Sequence, residues 1–255
     1  VVASPGQAEL PLDPSISGVA LGKYTHLLED PGGTLTPNEA LRIERTGQFQ
    51  KTQVDHPSFG YTGSVYWTHM VFSQTGTKPE TWYLELDNPL IGEVDLYVIE
   101  GDTIRIQTRT GCDRKFSQRP IEHRNFLFPF TLQPGEKVEF MVRTLSPTSH
   151  QLAYNIWQAD DFWTKEQTRY AMLGVFFGIM IVMIIFNSFV YLSLRDPSYL
   201  PYVCFMVFVT LFLASLDGLS TQFLWPNSAW WNRAFIAAMV PASSCAALVF
   251  TDRFL

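Results

Sequence analysis

The sequence predicts a β-sandwich of jelly-roll type followed by transmembrane α-helices, and three observations carry that reading. Residues 171–194, AMLGVFFGIMIVMIIFNSFVYLSL, carry no charge and are long enough to cross a hydrocarbon core about 30 Å thick as one helix. Two more apolar stretches follow, at about 198–219 and 232–250, so the first opens a bundle. Between residues 64 and 157, runs of β-branched and aromatic residues alternate with turn signals, the texture of a strand-rich domain.

Composition averages over these two unlike parts. The mean hydropathy of +0.05 resembles that of a soluble protein only because a polar first part offsets an apolar second one. The net charge of −6 resides in the first part, with Asp87, Asp95, Asp160 and Asp161, so no basic footprint for nucleic acid exists. Of the three cysteines, Cys204 and Cys245 fall in the spans and Cys112 is alone before them, so the soluble domain cannot staple itself with a disulfide. The start, Val1-Val2-Ala3-Ser4-Pro5, fits either a cleaved signal peptide or an arbitrary cut. The other end, Phe250-Thr251-Asp252-Arg253-Phe254-Leu255, stops directly after a span and reads as part of a longer protein.

In chain order, residues 1–33 form a lead-in rich in Pro and Gly, with at most one edge strand at residues 17–28. The sandwich is expected over 34–160. Residues 38–46, after the cap candidate Thr36, read equally as a helix or as a strand with Leu41 and Ile43 inward. Strands are predicted at 64–73, 81–86, 93–99, 103–108, 125–132, 137–145 and 151–157. Alternation sets Val94, Leu96 and Val98 against Asp95 and Tyr97, and Val138, Phe140 and Val142 against Glu139 and Arg143, so one face is expected buried and one wet. Glu100-Gly101-Asp102 and Gln133-Pro134-Gly135-Glu136 supply tight turns.

The membrane domain occupies 161–255. Trp163 and Tyr170 suit the headgroup belt, as do Trp225, Trp230 and Trp231. Only Arg195-Asp196-Pro197 separates the first two spans, which requires a tight antiparallel hairpin. Lys165, Arg169 and Arg233 fall at one end and Arg195 and Arg253 at the other, so charge alone leaves orientation open. Gly174 and Gly178 form a small-residue face for close helix approach, Asn187 is expected to hydrogen-bond between helices, and Asp217 is either an interfacial carboxylate or a relay group.

No phosphate loop, dinucleotide fingerprint, paired-histidine zinc motif or nucleophile elbow is present, and the five histidines lack ligand spacing, so neither enzyme activity, a cofactor nor a metal is predicted. His69 and His123 read as ordinary strand residues. Trp67, Trp82, Tyr97 and Trp157 admit two readings, packing in the core or stacking on a sugar. For a saccharide-like ligand, Trp67, Trp82 and Arg105 are the candidate contacts.

Three groups of residues carry a family resemblance: Leu173-Gly174-Val175-Phe176-Phe177-Gly178, Phe186-Asn187-Ser188-Phe189-Val190-Tyr191, and Leu194-Arg195-Asp196-Pro197-Ser198-Tyr199-Leu200-Pro201-Tyr202. With Asp217-Gly218-Leu219, Phe223-Leu224-Trp225-Pro226 and the closing Phe250–Leu255 segment, the chain resembles the bacterial seven-transmembrane receptors with diverse intracellular signalling modules. The soluble part is similar to that family's second type of extracellular domain, a carbohydrate-binding-like jelly roll, through Val65-Tyr66-Trp67, Trp82-Tyr83-Leu84-Glu85-Leu86, Val94-Asp95-Leu96-Tyr97 and Glu139-Phe140-Met141-Val142-Arg143. The resemblance implies three of seven helices, a multi-pass protein of the bacterial inner membrane and a periplasmic jelly roll. It also implies that Arg195-Asp196 and Asp252-Arg253 are cytoplasmic and that a kinase or cyclic-di-GMP output module follows. The function so implied is a sensor of a carbohydrate-like ligand or a periplasmic protein partner. The alternatives are a transport or assembly component that only docks, and a dimerisation scaffold.

Overall fold

The structure, a computed structural model, describes residues 9–101, 103–146 and 148–254. The reading of the chain start, residue Asp102 of one predicted turn, and Leu255 lie outside the described residues. The chain divides into two compact units between Phe162 and Trp163.

The first unit is a β-sandwich. Its larger sheet holds β1 (Glu9–Leu12), β3 (His26–Asp30), β4 (Gln50–Lys51), β6 (Val65–Gln74), β8 (Glu93–Glu100), β9 (Thr103–Thr110) and β11 (Lys137–Leu145), in the order β4-β3-β6-β11-β8-β9, with β1 parallel to the second half of β6. The smaller sheet orders β10 (Phe126–Leu132), β7 (Glu80–Leu86), β13 (Tyr154–Gln158) and β2 (Val19–Ala20). A separate pair joins β5 (Ser58–Tyr61) to β12 (Ser149–Gln151). Between the two main sheets lies an apolar core that includes Met70, Phe72, Trp82, Leu84, Leu96, Phe128, Phe140 and Ile156, all buried. Burying such side chains contributes about 1.5–3 kcal/mol each, which holds a domain without a disulfide.

Three expectations need correction, and the open reading of residues 38–46 is decided. The lead-in is structural: Leu10, Leu12 and Leu21 belong to the core, and β3 pairs with β6 over five residues. Residues 37–45 form a helix, α1 (Pro37–Arg45), because Thr36 and Glu39 close a capping box in which each side chain bonds the other's backbone N–H, and Pro37 pre-sets the first turn. That helix explains the second correction. The face of the large sheet expected to be wet is covered by Ala40 and Leu41, which pack with Val65, Trp67, Tyr97, Ile99 and Met141 in a second apolar cluster. The strands β6, β8 and β11 are therefore buried on both faces, and alternation on a single strand cannot reveal a helix supplied from elsewhere. Finally, the predicted strand 151–157 is two strands, since residues up to Gln151 pair with β5 and those from Tyr154 with β7.

Turn chemistry follows the residues. Gln133 accepts from the Glu136 N–H at 2.9 Å, and Gly135 at φ 76° takes the left-handed position that a type II turn demands after proline. At Gly111, φ 145°, an added Cβ would lie 1.9 Å from the Gly92 carbonyl oxygen, so this close strand approach tolerates no side chain.

The second unit contains three helices long and apolar enough to cross a membrane. They are α2 (Ala159–Leu194), whose N-terminal turn lies in the first unit, α3 (Tyr199–Leu216) and α4 (Ala229–Phe254). Between α2 and α3 the chain reverses with Arg195 at φ 52°, and the Asp196 carboxylate accepts from the Ser198 N–H at 2.9 Å. At the other end Arg169 lies 3.8 Å from Asp217, as an antiparallel hairpin requires. Helix α4 returns along α3, with Tyr202 and Phe250 rings 5.3 Å apart and the Arg253 guanidinium donating to the Pro197 carbonyl at 3.2 Å. A wide π-type turn, Ser220–Leu224, leads from α3 toward α4.

Candidate functional site

The structure separates the three proposed sugar contacts. Trp67 and Trp82 are both 0% exposed, and they lie in different apolar clusters on opposite faces of the large sheet. The Trp82 indole donates to the Gln74 side-chain oxygen at 3.2 Å, while Trp67 stands 5.9 Å from the Tyr97 ring. Neither presents a ring face to a ligand. Arg105 alone is exposed, on the edge strand β9, where it pairs loosely with Glu100 at 3.5 Å. Stacking by these tryptophans therefore supports no saccharide site, because the helix and sheet that bury them come from distant sequence.

The membrane residues are also rearranged. Asn187 donates back to the Met183 carbonyl of its own helix at 2.8 Å, one turn earlier, instead of bridging helices. It lines a cavity of about 380 Å³ together with Tyr199, Tyr202, Phe250 and Arg253. Gly174 and Gly178 have no described atom within 4 Å of an added Cβ, so no helix described here uses that face. Asp217 sits opposite Arg169, with their charged groups 3.8 Å apart.

Two arrangements emerge that sequence spacing did not reveal. In the first, Glu85 on the small sheet accepts from the Asn125 side-chain amide and from the Trp157 indole, each at 2.7 Å. Beside them Phe162, in the first turn of α2, is fully buried against the rings of His123, Tyr83 and Trp157 at 5.3, 5.6 and 6.2 Å. No loop residue separates β13 from α2, so the helix that becomes the first span begins inside the sandwich's packing.

In the second, β3 and β6 pair in a register that sets His26 directly opposite His69 on one face, which α1 covers with Glu44. One donor atom from each of His26, Glu44 and His69 lies within 4.8 Å of the others. His69 Nδ1 is 3.5 Å from Glu44 Oε1, and its Nε2 is 2.7 Å from Glu139 Oε1. Arg45 holds Glu139 from the far side at 3.0 Å. Burial alone would raise the Glu139 carboxyl, but His69 and Arg45 outweigh it and hold the group below the ordinary carboxylate range. Burial, then the neighbouring His69, keeps the His26 ring below its usual pKa. The register of two distant strands and the packing of α1 over them bring these residues together, and a spacing search cannot detect either.

Sandwich and spans together define a membrane protein with a β-rich extracellular domain and receptor-like architecture. Its sequence matches the family described as 7TMR-DISM extracellular 2 over residues 22–158, and the family described as 7TM diverse intracellular signalling over residues 169–255. The chain belongs to the 7TMR-DISM family of membrane receptor proteins. No curated protein sequence matches it.

Proposed function

We propose that this chain is the input half of a bacterial inner-membrane receptor. Its periplasmic sandwich, of jelly-roll type, receives a ligand and biases the helices toward one of two arrangements read by a cytoplasmic signalling module. A ligand shifts such an equilibrium only through differential affinity for the two states, so the sandwich must differ between them where it meets the helices. The observation that carries this reading is Phe162: the first turn of the first span is packed into the sandwich instead of hanging from a linker. With Trp67 and Trp82 buried, a protein partner on the sandwich surface is favoured over a stacked saccharide. The competing reading is a docking or dimerising domain with no influence on the helices.

Antibody fragments raised against the sandwich serve as artificial partners in the test. The chain, with its three native cysteines replaced by Ser, carries one spin label through Leu194→Cys at the far end of α2 and sits in lipid nanodiscs. The receptor reading expects some fragments of a panel to change the label's spectrum. A panel that binds throughout and leaves the spectrum unchanged contradicts the receptor reading and supports the docking one.

A further inference from the structure

We propose that His26, Glu44 and His69 form a binding site for a first-row transition-metal ion, Zn²⁺ by preference, on the face of the large sheet beneath α1.

The donor set is the first argument. Two imidazoles and one carboxylate are ligands for Zn²⁺ and its neighbours, whereas Ca²⁺ and Mg²⁺ take sites built of oxygens. Spacing is the second. Ligand atoms at Zn–N and Zn–O bond lengths in a tetrahedron lie about 3.3 Å apart. The His69 Nδ1 to Glu44 Oε1 separation of 3.5 Å already fits, and all three donors lie within 4.8 Å, so closing on an ion takes movement on the order of 1 Å.

The surroundings provide the third argument. A metal-bound histidine characteristically gives its other ring nitrogen to a carboxylate, which fixes the tautomer and raises the basicity of the ligating nitrogen. Glu139 stands at that position, 2.7 Å from His69 Nε2, leaving Nδ1 directed at Glu44. Arg45 in turn holds Glu139 at 3.0 Å, which fixes the carboxylate that orients His69. Access is through His26, which is half-buried, whereas His69 and Glu44 are buried. The charges around the site are those of Glu44 and Glu139 against Arg45 and, across the strand pair from His26, Lys51, so the groups balance before any ion enters. Glu44 comes from α1 and the histidines from β3 and β6, so the ion would tie the covering helix to the sheet.

This site does not depend on the receptor reading, and its test is separate. The probe is Co²⁺, whose visible absorption reports coordination, added to the tag-free full chain in nanodiscs and then displaced by Zn²⁺. One equivalent of Co²⁺ should bind, give tetrahedral or five-coordinate absorption without a sulfur-to-metal charge-transfer band, and be displaced by Zn²⁺ but not by excess Ca²⁺ or Mg²⁺. His26→Asn should weaken Zn²⁺ binding at least about tenfold while leaving the metal-free melt unchanged, since this ring is half-buried. Glu139→Gln, which removes a positioning residue, should weaken it about 10–100-fold. Metal should also raise the melting temperature of the native chain but not of His26→Asn. The proposal is overturned by absence of binding at micromolar metal, by a sulfur charge-transfer band, by displacement with Ca²⁺, or by unchanged affinity in His26→Asn. Should Glu139→Gln fail to fold, His26→Asn alone decides.

Discussion

His150 shows how burial turns a residue that looks featureless in sequence into a determinant of stability. Its ring is fully buried against Tyr66 at 4.7 Å, with one nitrogen 3.0 Å from the Thr144 hydroxyl and the other without a hydrogen-bond partner among the described residues. Burial pushes its pKa down to about 4. The folded state therefore favours the neutral ring, and the unfolded chain takes up the proton first as pH falls. This contribution is fully present above the unfolded pKa of about 6.5 and is lost progressively toward pH 4, a loss on the order of 3 kcal/mol. The melting temperature of the chain should drop between pH 6.5 and 4, with a shallower drop for His150→Gln; equal slopes would show that another group is responsible. At this scale the sequence was least legible. Trp67, Trp82 and His69 each sit on a strand that was predicted correctly, yet what covers them comes from α1, from the opposite sheet or from a partner strand. Burial and ligand sets depend on that third dimension.

Elements were read more reliably, because a strand or a span advertises itself through its own residues. Strand β11 falls on its expected bounds, and β6, β8 and β10 lie within a residue of theirs. Elements whose identity depends on tertiary partners were missed or left open: β1 is four residues with Pro11 inside it, and α1 needed its capping box to decide between helix and strand. The cost of omitting the early strands can be stated. Leu10, Leu12 and Leu21 together contribute about 5–9 kcal/mol of burial, comparable to the whole stability of a typical domain. A fragment of residues 1–162 should give a β-type circular dichroism spectrum and one cooperative melt, whereas residues 34–162 should not fold at room temperature. Equal melting temperatures for the two would mean that β1 to β3 are accessory.

For the molecule as a whole, hydropathy located the spans, but sequence charge was silent on orientation, and the family assignment resolves it with the sandwich outside. Arg195 and Asp196, at the far end of the α2–α3 hairpin from Arg169 and Asp217, should then face the cytoplasm. Reporter fusions after Trp157 and after Asp196 should report from opposite sides of the membrane, the first from outside. Reports from one side would contradict the hairpin as well as the orientation. The claim that matters most is that the sandwich speaks to the spans through the buried first turn of α2. It is tested most directly by comparing the antibody-induced change in the Leu194→Cys label with and without three glycines inserted after Phe162. The account predicts that the inserted chain binds the fragments with unchanged affinity and loses the spectral change, whereas an undiminished change in the glycine-bearing chain would contradict it.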